Sequence, residues 1–297
     1  MIDFSLTYEQ KALQELARDF AQNEIAPLAQ ELDRTETYPH DLLKKAHKLG
    51  LLNLTIADAL GGGGLGWLEA CIVGEEFAAA CAGVTTAMNA NELALTPLDL
   101  AASDEQKKKF ISPIAQDGGL AAFCVTEPGA GSDVAAMRTR AVKQGDEYIL
   151  NGTKHFITNG DVAQLLTVFA MTEPEKKHRG MSLFAVPADL PGITRRHMGE
   201  KMGHRASDTA EIVFEDAHVP AANLIGKEGD AFKVAMETFD RTRIGIGASG
   251  VGVARAAMQA SIKFVKERQQ FGMPVGNFQG LQFMLADMAI KIETART

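Results

Sequence analysis

With 297 residues, 46% hydrophobic and 23% charged, the chain has ordinary globular composition and length for about two domains around a sizeable core. A net charge of −8 excludes a general nucleic-acid-binding surface, while leaving room for a local basic cleft that takes a phosphorylated ligand. No apolar run approaches the roughly 20 residues of a membrane-spanning helix.

The chain opens on Met1-Ile2-Asp3-Phe4, an acidic start without the basic and apolar regions of a secretory leader. Cys71, Cys81 and Cys124 are scattered and lack metal-ligand spacing; as buried free thiols they fit a reducing compartment, the cytoplasm or, in a eukaryote, the mitochondrial matrix. Residues 5 to about 117 predict helices. Thr7 followed by Gln10 fits a capping box, and Leu13, Leu16, Ala17, Phe20 and Ala21 recur at helical spacing. Pro39 marks the start of a second helix, where its missing N–H costs little. Gly61 to Gly64 predict a loop, before helices over 67–80, 85–101 and 104–115.

Near residue 121 the period changes. Phe123-Cys124-Val125-Thr126 is short, apolar and partly β-branched, and further strand-like runs cover 147–150, 154–158, 165–171, 181–186 and 210–214. Asn151-Gly152 predicts a hairpin turn, and the whole predicts an antiparallel β-domain of about 100 residues. From Gly229 helices return: Phe232, Ala235, Met236 and Phe239 share one face, and Leu281, Met284, Leu285, Met288 and Ile292 form a later stripe. Those two helices need more apolar surface to pack against than each other, so a partner segment is expected to follow.

Two glycine motifs carry no chemistry. Gly245-Ile246-Gly247-Ala248-Ser249-Gly250 matches G-x-G-x-x-G, but that fingerprint must follow a strand and open a helix; here it lies inside a helical run and predicts close helix–helix approach. The glycines at 61–64 lack the Lys-Ser/Thr of a phosphate loop. By contrast, Thr126-Glu127-Pro128-Gly129-Ala130-Gly131-Ser132-Asp133 ends a strand on a hydroxyl and then turns with free backbone N–H groups, a design for close approach to a ligand. Phe156-Ile157-Thr158-Asn159-Gly160 repeats it, so two strand-end hydroxyls could meet the polar edge of one heterocycle.

TEPGAGSD, FITNG, RTRIGIGASGVG and ERQQFG, together with GGGGLG and GDEYILNG, resemble the acyl-CoA dehydrogenase family over the whole chain. The resemblance implies an α+β fold of three parts: an N-terminal all-helical domain (1–120), a central antiparallel β-domain (121–225) and the first part of a C-terminal four-helix bundle (226–297). It implies FAD between β-domain and bundle. Phe123, Val125, Thr126, Gly131 and Ser132 would line the flavin, with the Thr126 hydroxyl on its polar edge; Phe156, Ile157 and Thr158 would flank it, Thr158 near N5. Ser132 and Asp240, Arg241, Thr242 and Arg243 would contact the CoA portion. Arg268, Gln269, Gln270, Phe271, Phe278 and Gln279 would reach the FAD of a neighbouring subunit in a homotetramer. The implied reaction oxidises an acyl-CoA to the trans-2-enoyl-CoA: a carboxylate takes the α-proton, hydride leaves Cβ for flavin N5, and an electron-transferring flavoprotein collects the electrons. There is no implied metal, nucleic-acid or membrane-spanning role.

The base is where the resemblance runs out. The family's usual glutamate, in a late Tyr-Glu-Gly motif, has no counterpart in the sequence, and Thr242 holds the position where other branches place one. Asp240 matches a CoA contact, and Glu237 points away by helical spacing. No catalytic residue is therefore assigned; the base is expected from further chain, the 297 residues alone are expected to be inactive, and Thr242 implies the short- and medium-chain branch. A non-catalytic flavin- or CoA-binding member is the alternative. Acyl-pocket depth is expected to depend on residues 85–100, among them Met88, Asn91, Glu92 and Leu95; Glu92 there reads either as a solvated charge or as a determinant for a polar substrate.

Overall fold

The computed structural model of the protein describes residues 4–297; residues 1–3, which carry the acidic start, lie outside it. Helix α1 (Tyr8–Phe20) begins on the predicted capping box, the Thr7 hydroxyl accepting from the Gln10 N–H and the Gln10 amide from the Thr7 N–H. A π-helical turn over Ala21–Ile25 carries it into α2 (Ala26–Thr35). Pro27 cannot donate to the preceding turn, and the ladder widens there, the Ala26 N–H reaching the Ala21 carbonyl. Helix α3 (His40–Lys48) follows with Pro39 at its N-cap. The glycine loop then closes on itself: a Cβ on Gly62 would sit 2.2 Å from the Ile56 carbonyl oxygen, and Gly61 and Gly64 adopt positive φ. Helices α4 (Trp67–Ala80), α5 (Ala82–Ala101) and α6 (Asp104–Asp117) complete the N-terminal helical domain. A single extended residue, Cys81, separates α4 from α5, so α5 starts three residues before the predicted point.

The middle domain holds β1 (Ala121–Cys124), β2 (Arg140–Gln144), β3 (Glu147–Thr158), β4 (Leu165–Met171), β5 (Met181–Pro187), β6 (Ile193–His197), β7 (Thr209–Pro220) and β8 (Leu224–Ile225), in the order β6-β7-β3-β2-β4-β5-β8 with β1 beside β4. Most ladders are antiparallel as expected, but β1 runs parallel to β4, and Arg140 of β2 also pairs parallel with Met171. Asn151-Gly152 is not the hairpin turn: the chain reverses at Gly145-Asp146, and Asn151-Gly152 lies inside β3 at a bulge against β7. Gly152 is needed there for space, since a Cβ would sit 2.6 Å from the Thr139 hydroxyl. Asn151 bonds Asp216, itself at φ 48° on the facing strand, rather than turning the chain. Strand β4 is buried along its whole length, which explains a run without alternation. One face of the sheet packs with α5, α6 and the start of α7 through residues such as Leu98, Ile111, Phe169 and Ala235; the other joins Tyr148, Leu166, Phe184 and Phe214.

Helix α7 (Ala231–Glu267) is continuous through the G-x-G-x-x-G stretch, so that match is no nucleotide loop. The close approach lies two residues past the motif: Gly245, Gly247 and Gly250 have open space, whereas a Cβ on Gly252 would meet the Glu75 carbonyl at 2.2 Å on α4. Beside it sits an ion cluster. Glu76, 3% exposed, meets Arg18 at 2.9 Å and Arg255 at 2.7 Å; Glu75 meets Arg296 at 2.9 Å, with Arg255 Nε also 2.9 Å away. The cluster thus ties α4 to α1, to α7 and to α8 (Gln279–Arg296). A tight ribbon of β9 (Gln269–Gln270) and β10 (Met273–Pro274) joins α7 to α8. Ile246, Phe264, Phe283, Met284 and Ile290 of these two helices are exposed. Among the described residues no helix is long and apolar enough to cross a membrane. Of the cysteines, all free, only Cys124 is fully buried, and burial pushes its thiol up to about 12; Cys71 and Cys81 are half-buried, contrary to expectation.

Candidate active site

A cavity of about 370 Å³ opens where the three parts meet. The β-domain contributes Phe123, Val125, Thr126, Gly131, Val134, Phe156, Ile157 and Thr158; α4 and α5 contribute Trp67, Ala70, Thr86, Asn89, Ala90, Glu92 and Leu93; α7 contributes Phe239, Thr242, Gly245 and Ile246. Two stretches about thirty residues apart in sequence are therefore brought onto one wall.

The first of them is held from behind by a buried ion pair. Lys154, fully buried on β3, donates to Glu127 Oε1 at 2.8 Å and to the Val125 carbonyl at 3.1 Å. Glu127 also accepts the N–H groups of Arg138 (2.6 Å) and Thr139 (3.0 Å). Burial pushes the Glu127 carboxyl up, but the Lys154 ammonium and the surrounding donors outweigh it and hold the group below its ordinary value. The Thr126 carbonyl accepts from the His155 N–H at 2.8 Å, stitching the turn onto β3 just before the second stretch.

That second stretch begins on a bulge. Between Lys154 and Ile157 the β3–β7 register shifts, and Phe156 takes φ 57°. For an aromatic residue this conformation is strained, and its effect is to aim the ring outward; it is 64% exposed at the cavity edge. Buried Asn159 then anchors the strand end. Its side chain donates to the Ala87 carbonyl on α5 at 2.9 Å and accepts from the Tyr38 hydroxyl at 3.0 Å. Burial, reinforced by Asp208, pushes the Tyr38 phenol well above its usual range, so it stays a donor. The Thr126 and Thr158 hydroxyls take no hydrogen bond from any described residue and are left for whatever fills the cavity. Unpaired hydroxyls at or just past two strand ends beside an outward aromatic ring fit a flat heterocycle with a polar edge.

On the α7 wall, Phe239 meets Phe123 edge-on at 5.7 Å. The Thr242 hydroxyl donates to the Thr238 carbonyl at 2.9 Å, so it is occupied within its own helix. Glu92 is the one carboxylate on the wall, half-buried there. The Thr55 N–H donates to its Oε1 at 2.6 Å. Burial raises the carboxyl above its ordinary value despite the bonds from Thr55.

Other expected site residues lie elsewhere. Ser132 is exposed next to Gly131. Asp240, Arg241 and Arg243 are exposed on α7, paired as Arg243–Asp240 (2.8 Å) and Arg241–Glu237 (2.8 Å). Arg268, Gln269, Gln270, Phe271 and Gln279 are exposed at the α7–α8 connection, with Phe271 at φ 52° on the ribbon tip and edge-on to half-buried Phe278 at 6.1 Å. From Thr242 to Glu267 a helix rises about 37 Å, so this group cannot reach its own chain's cavity. Of the residues named for pocket depth, Glu92 lines the cavity; Met88, Asn91 and Leu95 are buried behind it. Trp67, Ala70, Thr86, Asn89, Ala90, Leu93, Val134 and Ile246 were not foreseen, because helical periodicity marks a face without saying what it faces.

The comparisons with known proteins agree with this geometry. Residues 7–117, 122–217 and 229–297 match in turn the acyl-CoA dehydrogenase N-terminal, middle and C-terminal domains. The chain is 44% identical over 297 residues to the acryloyl-CoA reductase (NADH) of Anaerotignum propionicum, covering 99% of this chain and 75% of that one. It superposes with TM-score 0.95 and 39% identity on the butyryl-CoA dehydrogenase of Megasphaera elsdenii, covering 99% of this chain and 78% of that one. A chain in the structure described as "Electron transferring flavoprotein of Acidaminococcus fermentans: Towards a mechanism of flavin-based electron bifurcation" matches with TM-score 0.96 and 42% identity, over 99% of this chain and 78% of that one.

Proposed function

The chain belongs to the acyl-CoA dehydrogenase family, an FAD-dependent oxidoreductase family, and from that premise we propose that it dehydrogenates a short acyl-CoA thioester to the trans-2-enoyl-CoA. The observation that carries the reading is one cavity in which the free Thr126 and Thr158 hydroxyls and the outward Phe156 ring meet residues of α4, α5 and α7.

FAD, when bound, supplies the hydride acceptor. The chain's residues do the rest. Phe123, Val125, Gly131 and Ile157 give an apolar floor, and Phe156, Thr126 and Thr158 would hold the flavin, the ring by stacking and the two hydroxyls by hydrogen bonds. Ser132 and Asp240 to Arg243 border the entrance and take the CoA portion. Trp67, Ala70, Leu93 and Ile246 enclose the acyl chain and exclude water, which strengthens each polar contact at the reacting carbons. The α-proton becomes acidic only as negative charge develops on a polarised thioester oxygen, and a carboxylate must be within reach of Cα to take it. Thr242 is neither a carboxylate nor free, and Glu92, the one carboxylate on the wall, belongs to α5 and not to the flavin wall, so we assign the base to a group outside the described wall. Arg268 to Phe271, Phe278 and Gln279 lie too far from their own cavity to serve it, and we assign them to the FAD of a neighbouring copy in a homotetramer. We divide the work among residues 1–120 and 226–297, which close over the acyl chain, and 121–225, which carry the flavin wall. The electron acceptor is an electron-transferring flavoprotein, and the free thiols fit a reducing compartment, cytoplasm or mitochondrial matrix.

The test is product formation: the intact FAD-loaded protein, with the segment that supplies the base, is given butyryl-CoA and electron-transferring flavoprotein and is expected to yield crotonyl-CoA. FAD binding without enoyl product from butyryl- or octanoyl-CoA would overturn the substrate assignment. The similarity to an acryloyl-CoA reductase favours one second reading, the same site run toward reduction. Faster enoyl-CoA reduction with NADH and the flavoprotein than acyl-CoA oxidation would select it.

A further inference from the structure

Glu92 is out of place in a pocket for a plain hydrocarbon tail. It shares the helical side of the wall with apolar Trp67, Ala70, Ala90 and Leu93 and with Thr86 and Asn89, none of them charged. It also borders a second, small cavity lined wholly from the N-terminal helical domain, by residues such as Leu54, Val73, Phe77 and Met88. Glu92 therefore stands where the main cavity adjoins the smaller one, on the helical-domain side rather than on the β-domain wall of Thr126 and Thr158. Thr55 is its one hydrogen-bond donor, and no Lys, Arg or His among the described residues pairs with it. A carboxylate withdrawn from water and without a cation is costly unless a donor reaches it, and a methyl-ended chain would bring none.

We infer that the acyl chain accepted here ends in a hydrogen-bond donor, a hydroxyl or an ammonium, which Glu92 receives on the helical-domain side of the cavity. The inference rests on the acyl-CoA reading of the site. The terminus would replace the water that the carboxylate loses when the pocket fills. Because a site built to bond a donor is left with an unpaired group by the isosteric hydrocarbon, discrimination should be strong.

The experiment compares isosteric pairs on the intact FAD-loaded protein, with the segment that supplies the base, by anaerobic flavin reduction: 4-hydroxybutyryl-CoA against pentanoyl-CoA, and 5-aminopentanoyl-CoA against hexanoyl-CoA. The donor-ended member of at least one pair is expected to be favoured in kcat/KM by about 10- to 100-fold, and the pair showing it identifies hydroxyl or ammonium. In Glu92→Leu that ratio should fall to one or invert. In Glu92→Gln an ammonium preference should vanish while a hydroxyl preference persists in part. Preference for the hydrocarbon member of both pairs in the unmodified protein overturns the inference, whether or not the variants fold, as does a donor preference that survives Glu92→Leu. Pentanoyl- or hexanoyl-CoA reducing the flavin without discrimination sinks this inference alone, whereas no reduction by any of the four sinks the acyl-CoA reading with it.

Discussion

At the scale of single residues, the site depends on two carboxylates with opposite environments, Glu127 buried and Glu92 half-buried on the cavity wall. Glu127 has a buried ammonium and two backbone donors, whereas Glu92 has Thr55 alone. Removing one partner of a buried pair strands the other, which costs about 3–5 kcal/mol. Glu127→Ala, which leaves the Lys154 ammonium buried, is therefore expected to destabilise by that order and to release FAD. Lys154→Met leaves Glu127 its two N–H bonds and should cost less; chemical denaturation of both variants checks the ranking. Glu92 predicts a pH effect of definite sign. Its folded-state carboxyl binds its proton more tightly than in the unfolded chain, so its contribution to stability is fully present below the ordinary carboxylate pKa of about 4.3 and is lost as pH rises through the raised value. Glu92→Gln lacks that loss. The variant should melt higher than the parent at neutral pH, with the difference closing as pH falls to the ordinary carboxylate range; a constant difference across that range would contradict the assignment.

At the scale of elements, glycine positions separate packing from flexibility. Gly250→Ala on α7 places a methyl in open space and should stabilise by up to about 1 kcal/mol, the helix-propensity difference. Gly252→Ala, two residues on, drives its methyl into the α4 backbone and should destabilise by about 1–3 kcal/mol or more. Thermal unfolding of the pair reads both signs. Sequence periodicity located nearly every helix and the buried strands, because one apolar face leaves a local trace at 3.6 or 2 residues. It could not separate Gly250 from Gly252, since which glycine touches α4 is a tertiary fact. It likewise took Asn151-Gly152 for a turn: the dipeptide suits a hairpin and a bulge alike, and only the pairing of β3 with β7 decides. The parallel β1–β4 ladder was hidden for the same reason.

At the scale of the whole molecule, three parts meet at one cavity, and α4 is tied to α1, α7 and α8 by the Glu75–Glu76 cluster. The flavin-facing half of the site was legible in sequence because Thr158 ends β3 and Thr126 lies two residues past the end of β1, each before a Gly-rich or Asn-Gly turn, a local signature. The acyl-facing half was not, because Trp67, Glu92 and Ile246 come from three helices whose common facing arises only on folding. The central claim is that these halves form one acyl-CoA oxidising pocket, and anaerobic titration of the FAD-loaded protein with acyl-CoA thioesters, short straight-chain and donor-ended, tests it most directly. The account predicts loss of the visible flavin absorbance at one equivalent per site, and a markedly weaker response when Thr158→Val or Phe156→Ala removes the flavin wall. A flavin spectrum unmoved by every thioester, in intact protein that holds both its FAD and the segment supplying the base, would contradict it.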